Sequence, residues 1–461
     1  MRRGALALVL HSHMPYVEGF GTWPFGEEWL WEAVATVYLP LLELLDGAPV
    51  TLGLTPVLCD QLEAMDGEAG ERFLRFLRDV RAPIHADDAR GLEEEGAPEL
   101  AAELRRAAGD YARAGEGFGR GGLLGRLAAL ERVELWTSAA THALLPMLAT
   151  DAGLRLQVGT GITAHERRFG SFGGGFWLPE CAYEPGLERE LHDHGVRAFC
   201  VDQTGVYGRG APEHLEPVAT QAGPVAVPID WRTIELVWNE ERGYPGHPEY
   251  RDYHRRTVHD LKPWNNGGGG YDHEAALAVA REHARDFVQR AEERLAGGGL
   301  LTCALDTELL GHWWYEGPAW LAAVLEEAPA AGLELVTIGE GLARVEPVER
   351  ELRASSWGIA KDLSTWDSPA VAEMVFTARR AELRTVAAAA RSAPVERAAR
   401  ELLALQASDW TFLVTRELAA DYPRERMAAH AAALERALAH SADPALRGLA
   451  PHLDLAALCA P

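Results

Sequence analysis

Six apolar residues in a row, Ala5 to Leu10, run straight into His-Ser-His and then Met-Pro. A run of that length, closed by a turn signal, reads as a buried strand. Its end carries imidazoles, and buried polar groups need partners. A metal and a sugar are both open readings of such a strand end. The arrangement recurs in "RVELWTSAATHALLP" with His142, in "GGGFWLPE" with Glu180 and in "GLLTCALDTELLGHWW" with Asp306. Functional residues at the carboxyl ends of several strands mark a (β/α) barrel. A doubly wound sheet would gather them at one crevice instead.

The order of segments supports that reading. A helix predicted at about residues 27–45 follows the first strand, and "VTLGLTP" reads as the next strand. Such alternation implies a parallel sheet. Residues of about 71–130 are polar and helical with Gly-rich breaks, and read as a helical insertion. The alternation then continues through "RLQVGTG", "GGGFWLPE", "VRAFCVD" and "GLLTCALD", and ends on "GLELVTIGEGLARV". Beyond about Pro347 the chain is alanine-rich and helical, apart from the loop "SSWGIAKDLSTWDSP". The expected organisation is therefore a barrel over 1–346 and a helical C-terminal domain over 347–461 that contributes to the cleft.

Composition narrows the partners. A net charge of -25 repels nucleic acid and anionic membranes, and fits a neutral substrate. No apolar run approaches the roughly 20 residues of a membrane span. The start, Met1-Arg2-Arg3 before an apolar run, imitates a signal peptide, but the run is short and ends in histidines rather than small residues. The five cysteines, Cys59, Cys181, Cys200, Cys303 and Cys459, are scattered in apolar stretches, which suits reduced thiols and a cytoplasmic location.

Several residues can carry chemistry. Glu180, after Phe-Trp-Leu-Pro, is a candidate nucleophile or base, or else a cap for the following helix. Asp306 ends an apolar strand, with Glu308, His312, Trp313 and Trp314 next to it. Paired tryptophans beside acids fit a carbohydrate site, where rings stack on sugars and carboxylates bind hydroxyls; they also fit core packing. Many of the 14 tryptophans stand in predicted loops, among them Trp23, Trp29, Trp238, Trp264, Trp357 and Trp366. His11 and His13, with His142 and Asp306, leave a zinc site open as the rival reading. His165, His254 and His259 stand alone and are read as structural or solvated.

Taken together, "HSHMPYV", "ATHALLP", "WLPECAY", "DTELLGHWWYEGP" and "SDW" (Ser408–Trp410) resemble the family 57 glycoside hydrolases, and most of all their α-1,4-glucan branching members. The resemblance covers nearly the whole chain. It implies an α/β fold, an incomplete (β/α)7 TIM-like barrel with a helical insertion and a helical C-terminal domain. It implies Glu180 as nucleophile and Asp306 as general acid/base of a retaining reaction on an α-1,4-glucan. His11, His13 and His142 match histidines around the scissile bond, and Trp29, Trp238, Trp357, Trp366, Asp409 and Trp410 fall at cleft positions. No metal or organic cofactor is implied. Branching members carry a long loop with a tyrosine at its tip between the nucleophile and the later "VW" stretch. Here Glu180 and Trp238 are only 58 positions apart, so that loop is expected to be short, with Tyr207 as its only candidate remnant. A short cover favours hydrolysis or 4-α-glucan transfer beside branching.

Overall fold

The structure is a computed structural model, and it describes residues 4–22, 25–239, 241–439 and 448–458. Trp23 and Cys459 lie outside the described residues. The strands are β1 (Ala5–Ser12), β2 (Thr51–Leu54), β3 (Glu134–Ser138), β4 (Gly175–Trp177), β5 (Ala198–Val201), β6 (Val218–Ala219), β7 (Val225–Pro228), β8 (Leu300–Asp306), β9 (Glu334–Val336) and β10 (Val348–Glu349). Every residue of β1 is buried, as its unbroken apolar run requires. It pairs in parallel with β8 along one edge and with β9 and then β2 along the other. Parallel pairing continues from β2 through β3, β4 and β5 to β7. The sheet curls until Asp230, just past β7, donates its backbone N–H to Thr302 O of β8 at 2.9 Å. Among the described residues no ladder joins β7 to β8, so the ring of β1, β2, β3, β4, β5, β7 and β8 is an incomplete (β/α)7 barrel.

The first helix runs over Glu27–Ala33 and Leu39–Leu44, joined by a π-turn at Val34–Tyr38. Helices Glu68–Phe76, Ala82–Glu94, Pro98–Phe118 and Leu123–Ala128 fill the stretch read as a helical insertion. "RLQVGTG" departs from the sequence reading, because it lies inside the helix Asp151–Phe169 and not in a strand. Its glycines serve close packing. A Cβ on Gly161 would sit 2.1 Å from Ser138 O, so only glycine lets this helix lie against the end of β3.

The chain after β9 also departs from expectation. β10 pairs with β6, and Ser355 bridges Tyr183, so the sheet's reach extends past the boundary expected at 347. The C-terminal helices begin at Ala372 and comprise Ala372–Ala389, Glu396–Leu405, Ser408–Thr415 and Tyr422–Ala439. They enclose an apolar core of their own, with Leu402, Leu403, Leu405 and Leu434 among its members. Among the described residues no helix is long and apolar enough to cross a membrane.

The barrel seam rests on a buried ion pair. Asp230 is fully buried, caps the helix Trp231–Trp238 by accepting from Thr233 N at 3.1 Å, and accepts from Arg294 Nε at 2.9 Å. Removing the arginine strands a carboxylate in the interior. Arg294→Ala is expected to cost about 3–5 kcal/mol, read as a lower urea midpoint for loss of the native far-UV signal. An unchanged midpoint would mean that the seam does not depend on the pair.

Candidate active site

β1 and β8 run side by side with His11 opposite Asp306, so two sequence-predicted residues arrive at the same level of the same barrel end. β4 delivers Trp177, on which the His11 ring stacks at 4.6 Å between centroids. Beyond β4 the chain turns sharply through Pro179. Glu180 there adopts φ 60° and ψ 20°, and Cys181 also has positive φ. Left-handed backbone at non-glycine residues costs of order 1–3 kcal/mol each and persists only where neighbours enforce it. Here Cys181 N donates to Leu178 O at 2.8 Å, and Trp357 N donates to Glu180 O at 2.9 Å. His142, in the loop after β3, is also left-handed, and its carbonyl accepts from Ser408 N at 3.1 Å.

The side chains form one network. Glu180 Oε2 accepts from Trp357 Nε1 at 2.7 Å, and Oε1 accepts from Ser408 Oγ at 2.9 Å. His142 Nδ1 lies 2.9 Å from Ser408 Oγ, and its Nε2 lies 3.0 Å from His11 Nε2. The His13 ring stacks on that of His142 at 4.1 Å. His13 Nε2 meets Asp409 Oδ2 at 2.9 Å, and its Nδ1 meets Thr55 Oγ1 at 3.1 Å. Glu308 Oε1 accepts from His13 N at 3.1 Å and from the Tyr38 hydroxyl. Tyr38 closes the π-turn of the first helix, a feature that recurs at functional sites.

Burial dominates the electrostatics. It pushes Glu180 up to about 7, although hydrogen bonds from Trp357 and Ser408 pull the other way. Burial pushes Glu308 to about 7 as well, against its bond from Tyr38. Asp306 is held well above the carboxylate range, first by burial and then by Glu308, Glu180 and Asp409, and no side-chain donor among the described residues offsets them. His11 and His142 are held well below the usual imidazole value by burial and by neighbouring imidazoles, so both are neutral. His13 is the exception. Burial lowers it, but Asp409, Glu308 and Glu180 together hold it above its ordinary value.

The structure thus gathers His11, His13, His142, Glu180, Asp306, Trp357 and Asp409. It does not bring all the expected tryptophans with them. Trp366 and Trp410 are each 1% exposed, which corrects their expected place as stacking surfaces of the cleft. Trp366 packs with Leu144, Ala182 and Phe412 behind the turn of Glu180. Trp410 donates Nε1 to Ala404 O at 2.8 Å, under the Arg426 guanidinium. Trp366 lies in a predicted loop and Trp410 in the stretch read as helical, and both are buried in apolar clusters with C-terminal residues. Trp29 is half-buried beside Phe25, and Trp238 is exposed at the end of its helix; no described contact ties either to Glu180 or Asp306. The Trp-Trp pair divides, with Trp314 buried against Trp320 and Tyr250, and Trp313 about half exposed beside Tyr253.

Ser408, Glu308, Tyr38 and Thr55 enter the site without having been singled out as site residues. Ser408 and Glu308 stand beside named acids in "SDW" and "DTEL", which was the available signal. Tyr38, in the apolar helix "VATVYLP", gave none.

Among the described residues, His13, His142 and Asp409 are the group whose ligand atoms lie close enough to chelate an ion. This differs from the zinc set open in the sequence, since His11 and Asp306 are not in it. Each of the three is already hydrogen-bonded, His13 to Asp409 and His142 to Ser408, so an ion would have to displace those protons. Exhaustive dialysis against EDTA is expected to leave turnover of α-glucan unchanged. Loss of activity restored by zinc would reinstate the metal.

The family model of glycosyl hydrolase family 57 matches residues 122–353, and that of the 1,4-alpha-glucan branching enzyme C-terminal domain matches residues 368–447. The chain belongs to glycosyl hydrolase family 57. The 1,4-alpha-glucan branching enzyme of Thermococcus kodakarensis is 34% identical over 493 residues, covering 93% of this chain and 72% of that protein. The GH57-type branching enzyme of Pyrococcus horikoshii has a TM-score of 0.87 at 31% identity, over 99% of this chain and 93% of its own. The alpha-amylase AmyC of Thermotoga maritima has a TM-score of 0.80 at 25% identity, over 99% and 96%.

Proposed function

We propose that the protein is a retaining 1,4-α-glucan branching enzyme, with Glu180 as nucleophile and Asp306 as general acid/base. The unequal hydrogen bonding of the two buried carboxylates carries the reading, since Glu180 accepts from Trp357 and Ser408 while Asp306 has no side-chain donor among the described residues. A retaining reaction needs one carboxylate free to attack and one carboxylic acid that protonates the leaving oxygen. Glu180 has two donors that favour its anion. Asp306 has acidic neighbours and keeps its proton. Attack by Glu180 on the anomeric carbon breaks the C–O bond as Asp306 protonates the departing 4-oxygen. Asp306, now the base, takes a proton from the acceptor hydroxyl, which displaces Glu180. A 6-hydroxyl acceptor gives a branch, and water gives hydrolysis. His13 and Asp409, both partly exposed, bind the sugar hydroxyls at the scissile bond, with the buried His11 and His142 packed behind them, and Trp357 supplies a ring edge beside the nucleophile. Trp29 and Trp238 are retained as outer cleft residues. The enzyme works in the cytoplasm, a placement supported by the buried free thiols Cys59, Cys181, Cys200 and Cys303.

One observation favours a share of hydrolysis. The segment between β5 and β7 is folded down onto the sheet. It holds a single helical turn, Thr204–Tyr207, a short helix, Pro212–Leu215, and the edge strand β6. Tyr207 is tied there, its hydroxyl 3.4 Å from Glu351 O and its ring against His214 and Arg350. A tyrosine so anchored does not cover the intermediate.

Proton NMR of amylose after incubation with the enzyme decides between these products. Branching gives α-1,6 anomeric signal in excess of new reducing ends. Reducing ends without α-1,6 signal would overturn the branching reading and leave a hydrolase.

The roles also fix a pH profile. Glu180 must be ionised, so kcat/KM is expected to fall as pH drops through about 7. Asp306 must be protonated, so activity falls again as pH rises through its elevated value. Asp306→Asn should lower kcat by roughly 10²–10⁴-fold and abolish the alkaline limb. An alkaline limb that survives in Asp306→Asn would assign the acid to another group.

A further inference from the structure

We propose that Ser408 is a positioning residue of the reaction, the last link of a one-directional hydrogen-bond chain that starts at His11, passes through His142 and ends on Glu180 Oε1. The inference rests on the assignment of Glu180 as nucleophile and goes beyond it, because it fixes where each proton of the site must sit.

A serine hydroxyl has one proton to give. Ser408 Oγ stands 2.9 Å from Glu180 Oε1 and 2.9 Å from His142 Nδ1, so it cannot donate to both. An ionised Glu180 can only accept. The hydroxyl proton therefore points at Glu180, and His142 Nδ1 must carry a proton and donate it to Ser408. A neutral His142 then has a bare Nε2, and the 3.0 Å contact with His11 Nε2 requires His11 to donate there. His11 Nδ1 is left as a lone pair, and it is one of several buried ring nitrogens without a protein hydrogen-bond partner. In the opposite direction a protonated Glu180 would donate to Ser408, His142 would donate to His11, and His11 would bury an N–H with no acceptor. Among backbone groups an orphaned buried N–H is rarer than an under-satisfied acceptor, and we extend that preference to the imidazole. The chain thus favours an ionised Glu180 aimed by its neighbours.

The groups that face Glu180 do not reverse this. They are His142, with Nδ1 3.7 Å from Oε1, His13 just past β1, Asp306 from β8, Asp409 next to Ser408, and Cys181 on the same turn. Only His13 among them carries charge that favours the anion. Ser408 comes from the first turn of the helix Ser408–Thr415, so the C-terminal helices supply the donor that the barrel lacks.

The chain is tested in two ways. Ser408→Ala is expected to move the acidic limb of kcat/KM upward by roughly one to two pH units, and to lower kcat while KM stays near that of the wild type. Ser408→Thr keeps the hydroxyl and should restore the wild-type limb, since the Ser408 side chain borders a crevice between Leu144, Met147 and Trp366. Nitrogen-15 NMR of histidine-labelled protein should show His142 as the neutral Nδ1–H tautomer, identified by loss of its signals in His142→Asn. A wild-type acidic limb in Ser408→Ala, or His142 protonated at Nε2, would overturn the proposal. The NMR needs no substrate, so it holds or fails independently of the assigned reaction. Wild-type protein inert toward amylose would sink the proposed function and leave the tautomer result standing.

Discussion

Keeping water from a group of carboxylates is the constraint on which the rest of this molecule depends. Glu180, Asp306, Glu308 and Asp409 converge on the strand ends with His11, His13 and His142, and burial is the largest cause of the upward shift in Glu180, Asp306 and Glu308. A buried anion is tolerated only where donors surround it. Those donors are distributed unequally. Glu180 has Ser408 and Trp357, Asp409 has His13, Glu308 has Tyr38 and the His13 amide, and Asp306 has acidic neighbours instead. The division of labour proposed for Glu180 and Asp306 follows from this inequality rather than from any difference between aspartate and glutamate.

Much of this was legible because strands announce their own ends. The apolar runs before His11, Glu180 and Asp306 end where parallel strands stop, and a parallel barrel brings all such ends to one face. The register of β1 against β8 then sets His11 opposite Asp306, an outcome of pairing that no local pattern states. The helical insertion was visible as a polar periodic stretch. The boundary near 347 was not, because β10 is only two residues long and joins the sheet through β6. "RLQVGTG" misled for a related reason. Glycines in an apolar stretch look like a strand with turns, whereas Gly161 is there so that a helix can touch β3.

The tryptophans show what sequence position cannot say. A loop residue has no periodicity to reveal which way its ring faces. Trp357 turns its indole N–H to Glu180, while Trp366, nine positions on, is walled in behind it by Ala182 and Leu144. Ser408 and Tyr38 were hidden differently. A serine at a helix start reads as a cap, and a tyrosine in an apolar helix reads as core. Their roles depend on partners 228 and 270 positions away in the chain, beyond the reach of any window.

The C-terminal helices are therefore more than an appendage. They have a core of their own, yet Ser408 and Asp409 at the start of one helix complete the electrostatics of the barrel. Without them Glu180 would lose the donor on Oε1, and His13 would lose the carboxylate that, together with Glu308 and Glu180, outweighs its burial. A barrel with its strand ends bare would hold the same two catalytic carboxyls with the proton equilibria undecided. What remains for the rest of the cleft is the choice of acceptor. The pair proposed as catalytic would serve water and a sugar hydroxyl alike, so that choice falls to whatever excludes water above Glu180. In this chain the segment between β5 and β7 is spent on an edge strand, and its tyrosine lies against His214 and Arg350. Exclusion of water then falls to the glucan itself, which must occupy the acceptor side before the glycosyl-enzyme can be hydrolysed.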